Sequence, residues 1–133
     1  MIVLDTHVWV WWVHGEARLS QGQRELLDAR DVETIGVSII SCWEVSKLVE
    51  YGRLKLPQEV SEWLEVALAY PSVQLLQLTP AIVVESTRLP QPFHKDPADQ
   101  LIVATARIRA CRLATADDKI LKYAHVQTID ARS

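Results

Sequence analysis

IVLDTHVWVWWV, residues 2–13, decides how the rest of the chain is read. Ile2 to Leu4 is uncharged, apolar and too short for a helix, which suits a buried strand. Asp5 and Thr6 close that run with residue types that favour helix N-caps, and Val8, Trp9, Trp11 and Trp12 then belong to a first helix. The same alternation continues downstream. Ser20 to Asp31 is helical in pattern, with Leu26 and Leu27 apolar, and Ile35 to Val37 reads as a second strand. Ser41 opens a helix that runs to Gly52, and Pro57 starts another amphipathic helix through Val60, Trp63, Leu64, Ala67 and Leu68. VQLLQL, residues 73–78, is a third strand, after which Thr79 and Pro80 cap and begin the next helix. Pro97 sits in the first turn of a helix through Arg109, RLATA (residues 112–116) is a fourth strand, and a short helix from Asp118 precedes an edge strand at Gln127 to Ile129. Strands separated by helices imply an α/β fold: a three-layer α/β/α sandwich around a mainly parallel sheet of four to five strands.

Composition sets the outer limits. A chain of 133 residues, 49% hydrophobic and 23% charged, fits a single domain spanning residues 1–133. The longest wholly apolar run, Val8 to Val13, is far short of the roughly 18 residues that a membrane-spanning helix needs. The opening MIVLD has neither a basic start nor a cleavage site, so a cytoplasmic protein is expected. The two cysteines, Cys42 and Cys111, both sit in apolar patterns that read as helix interior and are expected to be buried thiols. A net charge of −3 gives no global basic field. If the partner is nucleic acid, a local patch or bound metal must supply the attraction.

Each acid near an element boundary has an ordinary structural role. Asp96, Pro97, Ala98, Asp99 reads as a helix start, with Asp96 as N-cap and Asp99 meeting the positive end of the helix dipole. Ser41, Cys42, Trp43, Glu44 fits a capping box, and Asp5 and Asp117 each follow a strand and precede a helix. Taken together, the acids ask for more than capping. Parallel strands end on one edge of their sheet, where open α/β sheets form ligand sites. Asp5, Glu44 and Asp117 are expected there, and the helix begun by Asp99 runs back against the strands and brings it to the same edge. Two unit charges about 5 Å apart repel by roughly 3 kcal/mol at an effective dielectric near 20, which a cap does not offset. Either some of the acids are protonated or a divalent cation neutralises them. An all-oxygen donor set points to Mg²⁺ or Mn²⁺ rather than zinc.

LDTHVWVWW (residues 4–12), SIISCWEVSKLVEYGRL (38–54), HKDPADQLIVATA (94–106) and LATADDKILKY (113–123), in that order, resemble the PIN-domain ribonucleases and, among them, the VapC-type toxins of toxin-antitoxin pairs. The resemblance spans essentially the whole chain. It implies a PIN-like fold and a metal site at Asp5, Glu44, Asp99 and Asp117. It also implies Mg²⁺-dependent hydrolysis of RNA by an activated water, leaving 5′-phosphate and 3′-hydroxyl ends. A cognate antitoxin and a homodimer are the partners it implies. The T-x-D spacing of Thr115 and Asp117 favours Asp117 over its neighbour Asp118. Gln100 stands where many relatives carry Arg, which removes a cation near the site.

Thr6 and Thr115 stand beside the acids, as supporting hydroxyls for the site or as ordinary cap and strand residues. Among Trp9, Trp11 and Trp12, at least one is expected at the surface, because one helix cannot turn all three inward. Lys47, Arg53, Lys55 and Lys95 are scattered cations that read as a solvated face. The four histidines suggest a rival His-pair nuclease, but no spacing supports it, and zinc lacks a Cys-x-x-Cys. Three other functions compete: a PIN-type nuclease of RNA processing, a receiver-like Mg²⁺-binding domain, and a nonenzymatic module whose acids are only caps. A receiver needs an acidic pair after the first strand, where this chain has Asp5 alone.

Overall fold

The computed structural model describes residues 1–29 and 33–133. Five strands form one sheet: β1 (Ile2–Leu4), β2 (Ile35–Ser38), β3 (Val73–Leu76), β4 (Arg112–Thr115) and β5 (Thr128–Asp130). All pair in parallel in the order β3-β2-β1-β4-β5. The expected α/β/α architecture is therefore present, with β5 as the anticipated edge strand. β1 is central, and its three residues are wholly buried because a parallel sheet is covered on both faces.

Seven helices occur among the described residues: α1 (Thr6–His14), α2 (Gln21–Asp28), α3 (Ile39–Glu50), α4 (Val60–Leu68), α5 (Pro80–Ser86), α6 (Pro97–Arg109) and α7 (Asp118–Leu121). The strand alternation of period two sorts the core into two faces. Ile2, Leu4, Ile35, Val37 and Ala114 pack with Val8 and Trp9 of α1, Leu27 of α2 and Trp63 and Ala67 of α4. Val3, Leu76 and Leu113 pack with Ile82 of α5, Ile102, Val103 and Ala106 of α6 and Ile120 of α7. The edge-to-face pair of Trp9 and Trp63, ring centres 5.0 Å apart, joins α1 to α4.

Several local expectations are corrected. α3 begins at Ile39, capped by the Ser38 side chain on the Ile40 N–H, so Ser41 and Glu44 form no capping box. The chain enters α3 directly from β2, and two β-branched isoleucines disguise the first turn. Pro57 lies outside α4, whose cap is Glu59. Cys42 is a buried free thiol of α3, but Cys111 is half-buried between α6 and β4. In α1, Trp9 and Trp12 are buried and Trp11 is half-buried; the exposed tryptophan is Trp43, on α3. The helix expected through Asp31 is seen to Asp28, and residues 30 and 31 lie outside the described residues.

Candidate metal centre

The strand order reverses beside β1: the chain builds outward through β2 and β3, then returns to lay β4 and β5 on the other side. Such a switch point opens a crevice at the C-terminal ends of the strands. Asp5 leaves β1 into this crevice as N-cap of α1, with Oδ1 accepting the Thr6 N–H at 2.8 Å. Thr115, the last residue of β4, donates its hydroxyl to Asp5 Oδ2 at 2.7 Å and accepts the Asp117 N–H at 3.0 Å. One threonine thus ties the Asp5 carboxylate to the backbone of Asp117 at the neighbouring strand end. Asp117 caps α7 through Oδ1 on the Lys119 N–H at 2.8 Å.

Glu44 arrives from the other side. It lies in the second turn of α3, well past the cap, and Oε1 accepts the Thr6 hydroxyl at 2.5 Å. Thr6 Oγ1 is also 2.9 Å from the Ser41 hydroxyl, so the first turn of α1 is laced to α3. Asp99, in the first turn of α6, gives its backbone N–H to the Asp96 cap at 3.1 Å. Its Oδ2 lies 2.6 Å from His94 Nε2. Gln100 donates its amide to the His94 carbonyl at 3.1 Å, which holds that histidine's segment against α6. The result is one cavity of about 470 Å³ lined by Asp5, Glu44, Asp96, Asp99 and Asp117, with His7, Trp11 and Arg18 at its margin.

Burial raises the pKa of three of these acids, Asp5, Glu44 and Asp99. Desolvation raises Asp5 above the ordinary carboxylate range, against the pull of its Thr115 and Thr6 hydrogen bonds. Glu44 is pushed up to about 7, first by desolvation and further by the charges of Asp5, Asp99 and Asp96. Asp99 rises to about 6 for the same leading reason, opposed by its hydrogen bond to His94. A divalent cation would remove this conflict. The donor set fits one: Asp99, Asp117 and His94 each offer a ligand atom within 4.8 Å of the others, and Asp5 and Glu44 line the same cavity. Carboxylate oxygens suit Mg²⁺ or Mn²⁺.

All four carboxylates singled out in the sequence therefore face one cavity. Thr6 and Thr115 both contact them. Asp96 is the helix cap that was expected, and it lines the cavity as well. Asp118 is exposed and pairs with Arg132 at 2.8 Å, apart from the cavity lining. His94 was not picked out for this role, because it lies in an irregular segment with no periodic pattern. The proline, capping acid and Asp99 that follow it were its only local signal. Arg18, a cation at the cavity margin, sits in a turn after α1 and is brought in by the fold alone; its guanidinium lies over Trp11 at 5.6 Å.

Residues 2–126 match the PIN domain family. The chain is 32% identical over 128 residues to Ribonuclease VapC22 of Mycobacterium tuberculosis, covering 96% of this chain and 95% of that protein. Among solved structures it resembles VapBC2 from Rickettsia felis bound to a promoter DNA fragment, with a TM-score of 0.72 and 18% identity over 97% of this chain and 98% of that one. It likewise resembles a toxin-antitoxin complex from Klebsiella pneumoniae, with a TM-score of 0.70 and 17% identity over 98% of both chains.

Proposed function

The chain belongs to the PIN-domain family, and on that premise we propose that it is a metal-dependent endoribonuclease, the toxin of a toxin-antitoxin pair. The observation that carries this reading is the convergence of four carboxylates, from four different helix starts or turns, on one cavity at the switch point of the sheet. Asp5, Glu44, Asp99 and Asp117 would hold Mg²⁺ or Mn²⁺. When bound, the cation neutralises the acids and phosphate, and it acidifies a water for attack on a phosphodiester. The chain's own residues supply the rest. Thr115 and Thr6 fix the Asp5 and Glu44 carboxylates in place through their hydroxyls. His94 does the same for Asp99. Arg18 offers a positive charge to phosphate at the rim of an otherwise acidic cavity.

The similarity to Ribonuclease VapC22 supports RNA as the substrate. The toxin role and an antitoxin partner are supported by the likeness to VapC22 and to the toxin-antitoxin complexes, and a homodimer and a cytoplasmic location complete the proposal. Among the described residues, no helix is long and apolar enough to cross a membrane. The test is cleavage of single-stranded RNA with Mg²⁺, with Mn²⁺ and with EDTA. Cleavage that needs the metal and leaves 5′-phosphate ends is expected; cyclic 2′,3′-phosphate ends, or activity that persists in EDTA, would overturn the reading.

A further inference from the structure

Beside the acidic cavity lies a second pocket of opposite character, of about 580 Å³. Among the described residues no carboxylate lines it. Its floor is a run of rings: His94 and Phe93 have centres 4.3 Å apart, Phe93 and Tyr123 4.6 Å, and Tyr123 and His125 5.3 Å. The floor is fixed. Tyr123 is 7% exposed and its hydroxyl donates to the Pro90 carbonyl at 2.6 Å, while Arg107 donates to the His125 carbonyl. Lys119 and Lys122, both exposed, stand at the pocket, and neither is in an ion pair with a described residue.

We propose that this pocket seats a base of single-stranded RNA next to the scissile phosphate, with Phe93 and His125 as its stacking surface and Lys119 and Lys122 on the flanking phosphates. Every base has a π-face, so an aromatic floor with neighbouring cations holds single strands with little dependence on sequence. Charge complementarity favours this occupant. In a chain of net charge −3, the pocket gathers two lysines and two histidines and, among the described residues, no acid. Two segments join the pocket to the acidic cavity. His94 lines the pocket and touches Asp99, and Lys119 follows Asp117, whose carboxylate accepts its backbone N–H. A strand passing from one to the other meets cations first and the carboxylate site second.

This inference rests on the nuclease reading, but its test can fail separately. Binding of a fluorescein-labelled mixed-sequence RNA decamer is followed by anisotropy in EDTA, at salt concentrations from about 50 to 200 mM, a range over which phosphate neutralisation is read out. Lys119→Ala with Lys122→Ala changes only exposed side chains. It is expected to weaken binding and to lower the slope of log K against log salt by about 1.4, or about 0.7 for each phosphate left without its lysine. Phe93→Leu is expected to weaken binding at least about five-fold with the slope unchanged, and Phe93→Tyr to restore it, which separates stacking from a folding defect. No binding by the unaltered protein, or equal binding by the lysine and leucine variants, overturns the pocket assignment. Metal-dependent cleavage with equal binding by those variants removes the pocket and leaves the nuclease. Pocket-dependent binding without any metal-dependent cleavage removes the nuclease and leaves a single-strand binding site.

Discussion

Thr6 is the residue on which the Glu44 side of the site depends. Its hydroxyl is 2.5 Å from Glu44 Oε1 and 2.9 Å from Ser41 Oγ, in surroundings dry enough to raise Glu44 to about 7. Thr6→Val keeps the shape and removes the donor, leaving a partly buried carboxylate unsatisfied. Urea denaturation should show a loss of about 1–3 kcal/mol, whereas Thr6→Ser should stay close to the unaltered protein. Asp5→Asn has the opposite profile. It keeps an oxygen for the Thr6 N–H and sets an amide beside the Thr115 hydroxyl oxygen, so metal-free stability should change little, while RNA cleavage should drop by more than about 100-fold if this carboxylate holds the metal. Asp5, Asp96 and Asp117 were legible because each stands between a buried run or a loop and a helix, and the caps are seen as expected. Glu44 joins the site through its place on the helix after the second strand and through the family resemblance, while the capping box expected for it does not form. It reaches the cavity from the second turn of α3. His94 was not legible in this role, because its approach to Asp99 depends on the path of a loop.

At the scale of elements, the most direct prediction concerns the end of α6. Ala110 closes that helix at φ 53°, a left-handed conformation that costs an L-residue energy and glycine little. Ala110→Gly should stabilise the protein by about 0.5–1 kcal/mol in thermal or urea unfolding, with no effect on cleavage. Helix starts marked by proline after a cap, at Thr79-Pro80 and Asp96-Pro97, were read correctly because the missing proline N–H is harmless there. The start of α3 was not, since it follows β2 without a loop and its first residues, Ile39 and Ile40, carry the signature of a strand. Pro57 misled in the other direction. It stands in a turn before α4 and not in its first turn.

For the whole molecule, the sheet order turns local acids into a charged cluster, and that cluster should make stability depend on pH. Glu44 rises from 4.5 to about 7 and Asp99 from 3.8 to about 6 on folding. A carboxyl that binds its proton more tightly when folded adds stability that is complete below its unfolded value and is lost as pH rises through the folded one. In EDTA the melting temperature should therefore fall between about pH 5 and pH 7.5. Mg²⁺ at pH 7.5 should raise it again, because the ion binds the folded, deprotonated site. The parallel α/β class was readable from strand-helix alternation alone. The order β3-β2-β1-β4-β5 was not, because pairing across the sheet leaves no mark in any one segment.

The four carboxylates are proposed to form a metal site that cleaves RNA. The most direct measurement is calorimetric titration of Mg²⁺ or Mn²⁺ into the protein and into Asp5→Asn, paired with RNA cleavage in the same buffers. Saturable binding and metal-dependent cleavage, both lost in Asp5→Asn, are the predicted result. Neither binding nor cleavage in the unaltered protein would contradict it and leave these acids as helix caps and buried hydrogen-bond acceptors alone.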